Sequence, residues 1–200
     1  MHPEIEAKFL NVDHDALRRK LKNLGAVLEK PLVTMRRTVF DYPDGRFEKN
    51  RSRLRVRDEG DKVTVTFKRV RPDQYSDEIE TTAGSYDTMV EIFIAMGFQS
   101  ISKQESKRET WRYRDAQITL DEWPWIKPYI EIEGSSEKQI KAIAEELGFN
   151  WEQAVFGSAE PAYRAEFPGI AADEGLADIP EDILFDKPLP AWLEERRTAA

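Results

Sequence analysis

Apolar and polar residues alternate with a period of two through most of the chain, and three stretches break that rhythm with a period near 3.6. In the alternating stretches every second position is apolar. Ile5, Ala7 and Phe9 do this in EIEAKF, Leu54 and Val56 in RLRVR, and Val63, Val65 and Phe67 in VTVTFK. Ile79 does it in EIE, Ile118 and Leu120 in QITLD, and Ile130 and Ile132 in YIEIE. Each predicts a strand with one apolar and one polar face. Three helices are predicted between them. Asp13 caps the first, DALRRKLKNLGA, which carries Leu17, Leu21 and Leu24 as its stripe and stops at Gly25. The second, SYDTMVEIFIAMGF, turns Met89, Ile92, Phe93 and Met96 inward and stops at Gly97. The third, SSEKQIKAIAEELGF, has Ser136 and Gln139 at capping-box spacing, a stripe of Ile140, Ile143, Ala144 and Leu147, and a stop at Gly148. YPDG at 42–45 marks a turn, and DEGD at 58–61 joins two strands as a hairpin.

The polar faces carry the chemistry. Glu4 and Glu6 precede Lys8; Arg53, Arg55 and Arg57 share one face; Thr64 and Thr66 lead to Lys68. Glu78 pairs with Glu80, Gln117 and Thr119 lead to Asp121, and Glu131 pairs with Glu133. Any one of these strands fits an antiparallel sheet with a wet face. Blocks of one charge sign, repeated from strand to strand, fit that picture poorly. Two carboxylates about 7 Å apart on one strand are tolerable in water. In a closed cavity their repulsion is costly unless cations neutralise it. A closed barrel with polar interior and apolar exterior concentrates the rows, and the helical stripes can cover its outside. The carboxylates are then hard ligands suited to Mg²⁺ or Mn²⁺. The Arg and Lys rows become a clamp for phosphates. The residues alone thus lead to an α+β fold, a polar-lined β-barrel with a phosphate and metal site. A polar-faced β protein without a site is the competing reading.

Composition narrows the class. The chain of 200 residues has 40% apolar and 34% charged residues, as expected of one soluble domain with an appendage. With no cysteine there is no disulfide, thiolate zinc site or thiol nucleophile. His2 and His14 are the only histidines, and both are expected at the surface, which argues against a catalytic triad or a His-based metal site. A net charge of −8 argues against nucleic acid as a partner. Much of that charge lies after residue 167, where the chain is rich in Pro, Gly and acids (Asp173, Glu174, Asp178, Glu181, Asp182, Asp186, Glu194, Glu195). Residues 1–167 are therefore expected to form the main domain and 168–200 an acidic tail. Ile183, Leu184, Phe185, Leu189 and Trp192 could pack the tail on the domain or present it to a partner. No apolar run approaches the roughly 18 residues of a membrane span, and the N-terminus has no signal-peptide pattern. A cytoplasmic location without membrane contact is expected. An outer-membrane barrel shares the alternation, but interleaved amphipathic helices disfavour it.

The start EIEAKF resembles the E-x-E-x-K signature of the CYTH family, the triphosphate tunnel metalloenzymes, which include inorganic and thiamine triphosphatases and class IV adenylate cyclases. RRTVFDYPDG, SRLRVRDEG, VTVTFK, DEIET, KRETW, ITLDEWP and YIEIEG follow in the family's order over roughly residues 3–165. The resemblance implies an eight-stranded antiparallel tunnel with helices outside. It implies Glu4, Glu6, Glu131 and Glu133 as metal-ligating acids, with Asp121 among the closing acids of the site. It implies Lys8, Arg53, Arg55, Lys68 and Arg108 as phosphate contacts, and Glu78 and Glu80 as acids of the tunnel wall. The implied activity is Mg²⁺- or Mn²⁺-dependent hydrolysis of tripolyphosphate, or of a nucleoside or thiamine triphosphate, by a monomer or homodimer. The alternatives are a class IV adenylate cyclase and a non-catalytic polyphosphate- or nucleotide-binding module.

Two departures from the family pattern stand out. Ser106 takes a position, two before Arg108, where the family often has Lys, and Lys107 would point to the other face. Glu160, Pro161 and Ala162 precede Tyr163 where a basic residue and Ser are usual. Arg36 and Arg37 are available to compensate.

Overall fold

The computed structural model describes residues 2–73, 75–171, 176, 179 and 182–197. The alternating stretches become eight strands: β1 His2–Leu10, β2 Val27–Asp41, β3 Ser52–Asp58, β4 Val63–Val70, β5 Ser76–Ala83, β6 Gln99–Tyr113, β7 Ala116–Glu122 and β8 Tyr129–Gly134. Every pairing is antiparallel, and the sheet closes in a ring in the order β1-β5-β4-β3-β2-β6-β7-β8. Closure depends on β1, which serves two neighbours. Its start, His2 to Glu4, pairs with Glu78 to Ser76, and its remainder, Ile5 to Leu10, pairs with Gly134 to Tyr129. The expected eight-stranded tunnel is thus the observed fold.

The ring is built inside out relative to an ordinary core: charged faces turn inward and apolar faces turn outward under helices. Helix α1 (His14–Asn23) and helix α4 (Glu137–Glu146) cover the outside of β1, β7 and β8. There Leu17, Leu21, Ile140, Ile143 and Leu147 bury Phe9, Ile118, Leu120, Ile130 and Ile132. The short α2 (Arg46–Lys49) and α3 (Tyr86–Ala95) cover β2, β3 and β4 around Phe40, Leu54, Val56 and Phe98. The predicted caps hold. Asp13 accepts from the backbone of Asp15 and Ala16, and Ser136 from that of Gln139. Gly25, Gly97 and Gly148 end their helices at positive φ, where a Cβ would be strained.

Two expectations need correction. In α3 the inward stripe is Tyr86, Met89, Val90 and Phe93, while Ile92 is 42% and Met96 65% exposed. The Tyr86 hydroxyl lies 2.6 Å from Thr38 Oγ1 on β2, and this contact sets the rotation of the helix. His14 is buried rather than at the surface. The first turn of α1 docks on the loop before β8, where the Val12 amide donates to the Pro128 carbonyl and His14 Nε2 to the Tyr129 carbonyl, both at 3.0 Å. The side chain of His2 and the tail acids Asp173, Glu174, Asp178 and Glu181 lie outside the described residues.

Beyond the ring, α5 (Glu160–Glu166) and α6 (Ala191–Glu194) fold against it with parts of the tail. Trp123, Tyr129, Tyr163, Phe167, Ile183 and Leu193 share one buried cluster, with Leu189 and Trp192 packed at its edge. Ile183 forms a short parallel bridge to β6, its amide donating to Lys103 (2.9 Å) and its carbonyl accepting from Glu105 (2.8 Å). The pairing with β7 begins only at Lys107, so this stretch of β6 would otherwise be an open edge.

Candidate active site

The ring encloses a cavity of about 810 Å³. All the site residues expected from sequence line it except Asp121. Strand alternation places them there, which resolves the direction of β5: Glu78 and Glu80 face in, and Ile79 is exposed outside. Arg36 points outward, 3.1 Å from Asp58, and Lys107 lies outside over the Phe185 ring.

One wall is acidic and laced with cations. Lys8 is only 1% exposed, and its ammonium lies 2.8 Å from Glu6 and 3.2 Å from Glu131. Lys68 contacts Glu4 and sits 3.5 Å from Glu6. Burial opposes the charge on Glu6, but Lys8 and Lys68 outweigh it and hold the carboxyl below its ordinary range. Glu131 is held well below that range because Arg108, Lys8 and Lys68 overcome its burial. The same acids raise Lys8 in spite of its burial. Among the described residues Glu133 has no such cation in ion-pair contact. Burial, then Glu4, Glu6 and Glu131, push it up to about 7.

The opposite wall is basic. Arg53, Arg55 and Arg57 line β3, and Arg37 joins them from β2. Arg57 is matched by Glu59, at 2.5 Å. Among the described residues no carboxylate comes within ion-pair reach of Arg37, Arg53 or Arg55. The Nε–H groups of Arg37 and Arg55 are buried without acceptors. Burial, then Arg57 and Arg53, push the Arg55 guanidinium down to about 9; burial, then Arg57, Arg55 and Arg108, push Arg37 well down. Buried donors of this kind are rare, and oxyanions match them.

Asp121 stands behind the wall. Fully buried, it accepts from Arg108 Nε (2.7 Å) and from Thr119 Oγ1 (2.6 Å), while Arg108 Nη2 reaches Glu131 at 2.6 Å. Asp121 therefore holds Arg108 from behind the cavity wall and does not itself face the cavity. The other residue for which local sequence gave little signal is Arg37. Its guanidinium crosses to Ser106 Oγ on β6 and stacks on Trp123, 4.4 Å from the ring centroid. Its inward position follows from the alternation Met35, Arg37, Val39, Asp41 along β2, but its partners lie on distant strands.

Among the described residues no three acids form a ready-made metal cage. Lys8 and Lys68 fill the space between Glu4, Glu6 and Glu131. The donor chemistry nevertheless fits a hard divalent cation. All the donors are carboxylates, and the mutual repulsion that raises Glu133 is what such a cation relieves.

The sequence matches the CYTH domain family across residues 2–156. The chain belongs to the CYTH family. A Methanocaldococcus jannaschii protein named as a candidate adenylate cyclase is 27% identical over 135 residues, 66% of this CYTH chain and 77% of that protein. A Vibrio parahaemolyticus structure, also described as a candidate adenylate cyclase, superposes with a TM-score of 0.72 at 15% identity, covering 78% of this chain and 95% of its own. A Hippeastrum structure, described as a candidate adenylyl cyclase with a dominant triphosphatase activity, has a TM-score of 0.58 at 17% identity, covering 86% and 99%. At these identities the structural likeness speaks for the CYTH fold. Among the described residues no helix is long and apolar enough to cross a membrane.

Proposed function

We propose that this CYTH protein is a metal-dependent triphosphatase that removes the terminal phosphate of tripolyphosphate or an organic triphosphate. The observation that carries the proposal is the polarised cavity, with unpaired arginines on one wall and clustered carboxylates on the other. A triphosphate matches the first wall, and a divalent cation the second. Arg53 and Arg55 would grip non-bridging phosphate oxygens. Arg108, held by Asp121 and Glu131, presents a fixed cation between the two walls. Glu4, Glu6 and Glu133 would hold Mg²⁺ or Mn²⁺, with Lys68 released from Glu4 toward the phosphates. The metal, when bound, supplies charge neutralisation and acidification of water. The attacking water forms a bond to the terminal phosphorus as the bond to the leaving diphosphate oxygen breaks. Its proton passes to a carboxylate oxygen of the acidic wall. Lys8, enclosed by Glu6 and Glu131, organises these acids.

The name of the Methanocaldococcus jannaschii relative favours one second reading, cyclisation of ATP. One assay separates the two. The protein is incubated with Mg²⁺ or Mn²⁺ and, in turn, tripolyphosphate, ATP and thiamine triphosphate. Release of phosphate without cyclic AMP supports the hydrolase. Cyclic AMP with diphosphate identifies a cyclase. Binding without turnover of any of the three leaves only a binding module. Glu4→Gln and Glu6→Gln should each abolish hydrolysis while the circular dichroism spectrum is kept, and full activity in both would remove the metal assignment.

A further inference from the structure

Among the described residues, two N–H groups at the α5 end of the cavity have no acceptor. Arg37 and Trp123 are each only 7% exposed and both line the cavity, yet Arg37 Nε and Trp123 Nε1 are buried and unpaired. They belong to one unit, because the Arg37 guanidinium lies 4.4 Å from the Trp123 ring centroid. Behind them the Tyr163 ring of α5 meets the Trp123 ring edge-on at 6.3 Å, and its hydroxyl donates to the Pro124 carbonyl at 2.8 Å. This backing fixes the indole. On the far side Ser106, fully buried, accepts from Arg37 Nη2 and fixes the guanidinium. Arg55, Arg57 and Arg108 all add to the positive field at Arg37.

A buried unpaired donor costs the desolvation of its N–H with nothing gained in return. Two side by side, each braced by neighbours that stop it turning elsewhere, make a poor structural device. Glu59 neutralises Arg57, and Asp121 and Glu131 neutralise Arg108, but Arg37 has no counter-charge among the described residues. The missing component is an anion with oxygen acceptors. We infer that Arg37 Nε and Trp123 Nε1 form an anion subsite that receives one phosphoryl group of the substrate, beyond the row of Arg53 and Arg55. The inference rests on the triphosphate reading for the substrate's length, but the subsite itself requires only a phosphate oxyanion. A chain of phosphates long enough to reach from Arg53 to Arg37 engages both sets of donors, whereas a single phosphate engages one. The subsite therefore selects by chain length, favouring tripolyphosphate over diphosphate.

Binding of tripolyphosphate, diphosphate and inorganic phosphate to the whole chain, measured by titration calorimetry with and without Mg²⁺, tests this apart from catalysis. Trp123→Phe keeps an aromatic face for Arg37 and Tyr163 and removes the N–H together with part of the indole. It should weaken tripolyphosphate at least about tenfold, the loss of one hydrogen bond to a charged group, and diphosphate by less than about threefold. Arg37→Met should weaken tripolyphosphate further. Because the Arg37 guanidinium reaches Ser106 Oγ, a lysine grown from that position can return a cation near the same point, and adding Ser106→Lys to Arg37→Met should recover much of that loss. Wild-type affinity for tripolyphosphate in both single variants, an equal loss for all three ligands, or no binding by the wild type would each overturn the subsite. Tight, chain-length-dependent binding without hydrolysis would sink the triphosphatase reading and leave the subsite standing.

Discussion

Lys8→Met removes a buried charge and almost nothing else, since Met fills a similar volume. In the wild type the ammonium is shared by Glu6 at 2.8 Å and Glu131 at 3.2 Å. Breaking a buried pair from one side costs about 3–5 kcal/mol, because the partner charge stays behind. Here the partners keep some compensation: Lys68 lies 3.5 Å from Glu6, and Arg108 lies 2.6 Å from Glu131. The loss should therefore fall near the lower end, about 3 kcal/mol. For a chain of this size that is a drop in Tm of about 6–12 °C. The pH dependence gives the effect a signature. Glu6 and Glu131 are held below their ordinary range, so they stabilise the fold above that range and lose this contribution as pH falls. Without Lys8 their folded pKa values rise, and the variant has less to lose on acidification. Its deficit should be full at pH 7 to 8 and shrink toward pH 4. Thermal melts of both proteins, followed by circular dichroism in chelator across this range, measure it. Lys8 sits between two acids rather than facing the arginine wall, so KM for tripolyphosphate should rise less than in Arg55→Met. An unchanged Tm with a large rise in KM would refute the argument, since Lys8 would then be a phosphate contact. A deficit that grows toward pH 4 would refute the pairing.

Three further outcomes follow from the same geometry. Glu133→Gln should stabilise the protein more at pH 8 than at pH 5 in chelator melts. The wild-type carboxyl, with its pKa pushed up to about 7, loses stability as pH rises and it ionises against Glu4, Glu6 and Glu131, whereas Gln does not titrate. Asp121→Asn should lower kcat for the triphosphate and be partly rescued by Asp121→Glu, because Arg108 loses its orienting partner; equal effects of the two substitutions would count against an orienting role. Ile183→Ala should cost about 2–4 kcal/mol in a urea melt, since its side chain is fully buried against the ring; a loss below about 0.5 kcal/mol would show that the tail is not part of the cooperative unit.

The sequence was most legible where physics is local. A period of two decides which side chains share a face, and that alone put Glu4, Glu6 and Lys8 opposite Phe9 and Arg53 and Arg55 opposite Leu54. It did not say that the charged face would be the inner one. That inversion requires knowing that the sheet closes, and closure rests on the few pairs between His2–Glu4 and Ser76–Glu78, which carry no turn or propensity signal. The eight-stranded tunnel was legible through the family resemblance. Contacts made across the ring were least legible. Arg37 meets Ser106 because the β2–β6 register sets Met35 opposite Ser106 and Arg37 opposite Gln104, a pairing about 70 residues apart in sequence. The rotation of α3 and the burial of His14 failed for a related reason: single hydrogen bonds, from Tyr86 to Thr38 and from His14 to the Tyr129 carbonyl, overrode what periodicity and composition favoured. Helix α5, seven residues long, is too short for a 3.6 period to show.

The two walls also explain why such a cavity would leave so much charge uncompensated. Natural folds pair their buried cations, and this one does so at Lys8, Lys68, Arg57 and Arg108. Among the described residues it stops short at Arg37, Arg53 and Arg55, and at Arg37 and Arg55 the cost appears as guanidinium groups with a weakened hold on their protons. Pairing them with further acids would stabilise the empty protein but would set a competitor in the path of any phosphate. Leaving them bare puts the compensating charge on the ligand. Ligand binding and fold stability then draw on the same electrostatic term. A polyanion at a hundred times its Kd should add about 2.7 kcal/mol to the stability of the wild type. The same concentration should add far less to Arg55→Met, even though that variant, relieved of repulsion, starts from the higher Tm.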